Sequence, residues 1–333
     1  MTPAAGRPGP LERPTPLILD CDPGHDDALA IIVALARPEL ELRAVTTVAG
    51  NAGLDATTRN ALRVLTLVGR TDIPVAAGAP GPLVRPLHVA SNVHGASGLE
   101  GADLPEPAFA PRPEGAIELI RSVLLEAGEP VTIAAVGPLT NIGLLIRTHP
   151  ELLERIAGFR IMGGAITEGN TTASAEFNIW QDPEAARIVL DSGRPIVLMT
   201  LDVTHQALFG AADVARLDAL GTRVGSVFAD LLRYFSRFHA ERYGWDGSPI
   251  HDAVAVAHLA LPDLVRTAAY RVDVETTSEL TRGRTVVDLH ALTGRAPNAE
   301  VGVAIDRARF VDVLVEAVAS VGAGGAAGAA GAG

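Results

Sequence analysis

Lysine is absent from this 333-residue chain: all 27 of its Lys-plus-Arg positions are arginine. That absence removes Schiff-base catalysis, a P-loop lysine and the lysine that assists aspartyl-phosphate enzymes, each of which needs an ammonium group. Cysteine is almost absent. The single Cys21 excludes an internal disulfide and any cysteine-based zinc or iron–sulfur cluster, which fits a reducing compartment. Flanking carboxylates would raise its thiol pKa, so Cys21 reads as a small buried strand residue rather than a nucleophile. No apolar stretch reaches the ~20 residues of a membrane helix before glycine, proline or charge interrupts it. A surplus of positive charge is missing too. The formal net charge of −12 disfavours a nucleic-acid polymer as partner and leaves small, uncharged or metal-compatible substrates.

What is present suits a globular fold: the chain is 48% hydrophobic and 20% charged, enough for a well-buried core. Met1 to Pro16 carries five prolines, two arginines and no apolar h-region. Residues 1–15 therefore read as a flexible extension rather than a signal peptide, and the location as cytoplasmic. Beyond it, short β-branched runs alternate with helical patterns: Leu17–Cys21, Leu40–Val48, Val131–Val136, Phe159–Met162 and Pro195–Leu201. This order predicts a single α/β domain over residues 16–321, with a mostly parallel, Rossmann-like open sheet flanked by helices. Asp182 and Pro183 open one helix, which stops before Gly193. After about residue 267, the runs 271–276, 284–289 and 300–305 predict short antiparallel or edge strands, and a last helix spans Arg307–Val321. Residues 322–333 hold only glycine and alanine and read as a disordered tail.

The densest signal follows the first run: Asp20-Cys21-Asp22-Pro23-Gly24-His25-Asp26-Asp27. Four carboxylates in one strand-to-helix turn raise each other's pKa unless a cation, hydrogen-bond donors or a helix N-terminus compensates them. Helix capping accounts for one or two acids. It does not account for four at the carboxyl end of an apolar strand, where ligands of open α/β sheets collect. The oxygen-only donor set favours a hard divalent cation, calcium or magnesium, over zinc. Other polar residues fall at later strand ends: Asn51, Thr140-Asn141, Met162-Gly163-Gly164, and the loop holding Asn170, Glu176, Phe177 and Asn178. A crevice at the carboxyl edge would collect them all.

The turn Asp20 to Ala28 resembles the signature of the nucleoside hydrolases, calcium-dependent N-ribohydrolases. Thr46 to Asn51, Val93 to Gly98, Gly137 to Ile142, Ala175 to Asn178, Asp182 to Ala186, Leu201 to His205 and His251-Asp252 carry the likeness onward in family order. It extends from about Pro16 to about Val321. The pair His251-Asp252 resembles the inosine–uridine and pyrimidine-preferring groups more than the purine-specific one. The resemblance implies hydrolysis of ribonucleosides to free base and ribose by a homo-oligomer, dimer or tetramer. It implies one calcium ion per subunit, held by Asp22, Asp27, Asp252 and the backbone carbonyl of Val136. Calcium-bound water would lose its proton to Asp22 as general base. Asp26 and Asn178 fall to the ribose 2′-hydroxyl, Asp252 to the 3′-hydroxyl, and Asn170 with Glu176 to the 5′-hydroxyl. Asn51, Met162 and Phe177 are further substrate contacts. His251 would protonate the leaving base, and His94 occupies a base-pocket position. These roles match a reaction that builds positive charge on ribose and negative charge on the base.

The segment Tyr234 to Trp245 concentrates the rings of an aromatic-poor chain. By the same resemblance, Phe235, His239, Tyr243 and Trp245 are base-pocket candidates, on a helix that also has the pattern to bury Leu232, Phe235 and Phe238. His25 stands where the family varies, and His205 reads equally well as structural. Purine or pyrimidine preference is not set by this pattern. Two other readings compete. Asp20-x-Asp22 superficially resembles the haloacid-dehalogenase-like phosphatases, but their lysine is missing. A non-catalytic nucleoside-binding protein would keep Glu176 and Asn178 while losing Asp22 or Asp252, and both acids are retained.

Overall fold

The computed structural model describes residues 13–329. Most of the expected extension lies outside the described residues, and the first strand already begins at Thr15. Strands β1 (Thr15–Cys21), β2 (Leu40–Thr47), β3 (Val75–Ala77), β4 (Val131–Ala135), β5 (Ile156–Met162) and β6 (Ile196–Met199) pair in parallel. Their order is β3-β2-β1-β4-β5-β6. Strands β7 (Leu208–Phe209) and β8 (Ser248–Pro249) form a separate antiparallel pair. Strands β9 (Val265–Val274), β10 (Thr285–Asp288) and β11 (Ala299–Ile305) extend the main sheet: β11 joins β6 in parallel, and β9 and β10 follow antiparallel. This is the mostly parallel α/β sheet the alternation predicts, with the antiparallel strands near the carboxyl terminus. The short β3 has no readable periodicity in the sequence, because three residues between Pro74 and Gly78 are too few to show one.

Both faces of the sheet are covered, so Leu17, Ile18 and Leu19 of β1 are all fully buried rather than alternating. The helix His25–Ala36 is buried through ten consecutive residues, His25 to Ala34, because it packs between the helices His251–Ala260 and Arg307–Ala329. That last helix continues past Val321, the end that the sequence pattern predicts, to Ala329. Residues 322–329 are half alanine, which favours helix, and half glycine, which opposes it, and elongation from a helix already formed on the core needs no new nucleus. Residues 330–333 of the expected tail lie outside the described residues. Among the described residues no helix is long and apolar enough to cross a membrane.

The sheet order places the site. Strand β1 has β2 on one side and β4 on the other. Connections leaving β1 and β4 diverge there, which opens a crevice beyond their carboxyl ends. Asp22 directly follows β1 and Val136 directly follows β4.

Candidate active site

Backbone groups position the first carboxylates. Asp27, in the first turn of the helix His25–Ala36, reaches back to accept the Asp22 N–H on Oδ1 at 3.0 Å and the Gly24 N–H on Oδ2 at 2.9 Å. The Asn51 side chain donates to the same Oδ2 at 3.1 Å, and the Asn51 backbone N–H donates to Asp22 Oδ2 at 2.7 Å. Asp22 Oδ1 is buried with no hydrogen-bond partner among the described residues. Two glycines make room for this carboxylate. A Cβ on Gly50 would lie 2.1 Å from Asp22 Oδ2, and one on Gly137 would lie 2.6 Å from Oδ1. Asp252 arrives from the far end of the chain, in the first turn of the helix His251–Ala260. Asp26, Asp27 and Asp252 each bring a carboxylate oxygen within 4.8 Å of the others. The tightest trio thus includes Asp26, which the resemblance gives to ribose, beside the expected Asp27 and Asp252.

All four of these acids are buried. Burial first, then the charge of Asp27, pushes the Asp22 carboxyl well above the usual range and lifts Asp26 to about 7. Burial, then the charge of Asp26, does the same to Asp252. Asp27 is raised by burial despite its donors. Among the described residues, no arginine is among the leading influences on any of the four. A buried, all-oxygen cluster with an orphaned oxygen and no countercharge fits a hard divalent cation. Asp20 instead serves the fold. Thr46 Oγ1 and Asn141 Nδ2 donate to its Oδ1 at 2.5 and 2.7 Å, tying the ends of β1 and β2 to the helix Thr140–Thr148.

The acids form part of the lining of a cavity of about 560 Å³. Asp22, Asp26, Asn51, His94, Val136, Met162, Asn170, Glu176, Phe177, Asn178, Phe235, His239, Tyr243, Trp245, His251 and Asp252 all line it; of the expected residues, only Asp27 does not, being fully buried. Asn178 Nδ2 donates to the Val136 carbonyl at 2.8 Å and the Met162 carbonyl at 3.2 Å, which leaves Val136 O one lone pair for a ligand. Glu176 caps the helix Phe177–Gln181, accepting N–H groups of Gly164, Asn178 and Ile179 at 2.9, 2.9 and 3.2 Å. Burial still lifts its carboxyl to about 7. Asn170 Oδ1 accepts the Phe177 N–H at 3.0 Å.

Much of the remaining lining is aromatic. The helix Arg223–Tyr243 contributes Phe235, Phe238, His239 and Tyr243, and Trp245 follows it. His25 stacks on His94 at 5.2 Å and on Phe235 at 5.1 Å, and Phe235 meets His239 edge-on at 4.6 Å. Trp245 stacks on Tyr243 at 4.6 Å and meets His205 edge-on at 5.0 Å; His205 reaches His251 at 5.6 Å. His25 also donates Nε2–H to the Glu100 carbonyl at 2.7 Å. His251 Nδ1 pairs with Thr204 Oγ1 at 2.7 Å, and burial, followed by the nearby His205, pushes its pKa well below the ordinary value. Phe235 is buried and lines the cavity at once, so the helix serves both core and site.

Sequence reasoning passes over His25 and leaves His205 undecided, although the rings of both belong to this wall. It also misses His88, Trp180 and Arg242, which line the cavity. His25 lies inside the acidic motif and Arg242 inside the aromatic segment Tyr234 to Trp245, and those neighbours are the signal; His88 and Trp180 sit outside any local pattern.

The chain is 54% identical to the pyrimidine-specific ribonucleoside hydrolase RihA of Enterobacter sp. (strain 638), over 91% of this chain and 97% of the relative. Among solved structures, the purine-preferring ribonucleoside hydrolase from Gardnerella vaginalis matches with a TM-score of 0.87 and 31% identity, over 92% of this chain and 99% of that one. A plant nucleoside hydrolase, PpNRh1, matches with a TM-score of 0.84 and 33% identity, over 92% and 99%. Residues 17–312 match the family described as inosine-uridine preferring nucleoside hydrolase; the chain belongs to that family and is a ribonucleoside hydrolase.

Proposed function

We propose that this chain hydrolyses pyrimidine ribonucleosides to free base and ribose, with one calcium ion per subunit held by Asp22, Asp27, Asp252 and the Val136 carbonyl. The observation that carries this reading is the buried cluster of Asp22, Asp26, Asp27 and Asp252, without a countercharge of its own among the described residues, beside an aromatic-walled cavity. The pyrimidine preference is supported by the RihA relative at 54% identity, against 31% for the purine-preferring structure. When bound, calcium offsets the carboxylates and makes a neighbouring water more acidic.

Within this reading, Asp22 Oδ1, unpartnered and buried, takes the proton of the attacking water. Asp26 and Asn178 take the 2′-hydroxyl, Asp252 the 3′-hydroxyl, and Asn170 with Glu176 the 5′-hydroxyl; Asn51, Met162 and Phe177 complete the surroundings of the substrate. The buried acids stabilise the positive charge that grows on ribose. His94, Phe235, His239, Tyr243 and Trp245 receive the base. Burial keeps His251 neutral in the free site. Negative charge growing on the departing base makes protonation of His251 from solvent favourable, and His251 passes that proton to the base. A site that hydrogen-bonds the 2′-hydroxyl rejects 2′-deoxyuridine by ~10⁴-fold, because its buried groups are left unpaired. The same reading places a homo-oligomer, dimer or tetramer, in the cytoplasm.

Ribose released from uridine, cytidine, inosine and adenosine tests the proposal, with chelated protein and Asp22→Ala alongside. Release from uridine and cytidine, lost on chelation and restored by calcium, is expected. Inosine turnover without uridine turnover would sink the pyrimidine preference, and turnover indifferent to chelation would sink the metal.

A further inference from the structure

A hydrogen-bonded relay runs from the loop after the short helix Ser91–His94, through His25, to the ring of His94. His25 Nε2 lies 2.7 Å from the Glu100 carbonyl, and His25 Nδ1 lies 3.0 Å from His94 Nδ1. The Glu100 carboxylate holds the loop in place: Oε1 accepts the Ala96 N–H at 2.8 Å, and Oε2 accepts the Tyr234 hydroxyl at 3.1 Å. Tyr234 and Phe235 stack on His25 at 5.5 and 5.1 Å, which fixes the plane of its ring. Gly24 leaves room for the His94 ring, since a Cβ there would lie 2.5 Å from His94 Nδ1.

These contacts set where the ring protons sit. At about pH 8 an imidazole is neutral even at its ordinary pKa of ~6.5, and it carries one ring proton. A carbonyl only accepts, so the proton of His25 is on Nε2 and its Nδ1 turns a lone pair towards His94. Two lone pairs 3.0 Å apart would repel, so the proton of His94 is on Nδ1. The His25 backbone N–H lies 3.4 Å from the same nitrogen, too far to compete. His94 Nε2 has no hydrogen-bond partner among the described residues and is left as an acceptor in the cavity that the ring lines. His239 is fixed in the same sense, because its Nδ1–H donates to the Phe235 carbonyl at 3.1 Å.

We propose that His25 is a positioning residue for recognition of the base: its lone pair holds His94 as an acceptor, and His94 Nε2 takes an N–H of the pyrimidine. Uracil supplies N3–H, and cytosine supplies its 4-amino group. This rests on the proposed placement of the base against His94. A base whose N–H has been alkylated leaves the buried acceptor unpaired and is rejected.

Nitrogen NMR of calcium-loaded protein carrying isotopically labelled histidine, at about pH 8, reads the tautomer directly. The His94 signals are those lost in His94→Gln. A pyrrole-type Nδ1 and a pyridine-type Nε2 are expected for His94, and the reverse overturns the proposal. Ribose release is followed in parallel for uridine and N3-methyluridine, with wild type, His25→Phe and His25→Asn. Wild type is expected to prefer uridine by about 10²-fold in kcat/KM. His25→Phe keeps a ring but loses the acceptor, and the backbone N–H at position 25 then favours a proton on His94 Nε2. That variant should cut the preference about tenfold, while His25→Asn, whose Oδ1 accepts the His94 N–H, retains it. A merely structural role would lower both compounds alike. An unchanged preference in His25→Phe, or N3-methyluridine within about threefold of uridine in wild type, overturns the proposal. If wild type turns over no nucleoside, the nucleosidase reading fails and the spectra decide the role of His25: uridine added to Asp22→Asn protein must move the His94 Nε2 signal, and a signal that stays in place overturns it.

Discussion

The acidic floor of the cavity and its aromatic wall are built in opposite ways. The floor is set by backbone: strand ends at the switch in sheet order, a first-turn carboxylate that caps its own loop, and glycines whose missing side chains make room for the Asp22 carboxylate. Its groups are electrostatically unsatisfied. The wall is set by side chains from separate elements, and its rings satisfy one another. The difference teaches that a site can fix its charges through backbone for chemistry while leaving recognition to side chains drawn from separate elements. His25 joins the two, belonging by sequence to the floor and by stacking to the wall.

The largest effect should come from the floor. Asp22→Asn is expected to lower kcat by ~10²–10⁴-fold, with an unchanged far-ultraviolet circular dichroism spectrum, since it removes the base without removing volume. Gly137→Ala should follow at about 10²-fold, because its Cβ would press on the Asp22 carboxylate at 2.6 Å. Equal losses from wall and floor variants would break the distinction. Trp245→Ala is expected to raise KM about tenfold and leave kcat within about threefold, the pattern of lost ground-state stacking.

The smallest effect is on stability. Asp26 and Glu176 have folded pKa values raised to about 7, against ordinary values of 3.8 and 4.5. Between those limits these two groups hold more protons in the folded state than in the unfolded one, so their contribution to the stability of metal-free protein falls as pH rises towards about 7; buried His25 and His239, lowered to about 4 from 6.5, act in the opposite sense below about 6.5. Thermal melts of chelated protein at about pH 6.5 and about pH 8, where the histidines are neutral in both states, check the sign, and calcium should raise Tm more at the higher pH.

The same contrast governs what is legible in the sequence. The floor can be read because Asp22, Asp26 and Asp27 lie within one motif, and the parallel sheet because β1, β2, β4, β5 and β6 are apolar runs spaced by helical patterns. Asp252 comes only through resemblance, since nothing local ties it to residues more than two hundred positions earlier. The short β3, β7 and β8 are illegible for want of length. His88 and Trp180 are illegible because their meaning lies in one contact between distant segments. The phosphatase alternative rests on Asp20, whose carboxylate is bound by Thr46 and Asn141 rather than presented to a substrate.

Calcium titration of metal-free protein by calorimetry, with Asp252→Asn as the paired variant, tests the central claim most directly. One ion per chain is expected for the wild type, with loss of that binding in Asp252→Asn and recovery of ribose release in step with occupancy. Wild-type protein that releases ribose from uridine at full rate while binding no calcium would contradict it.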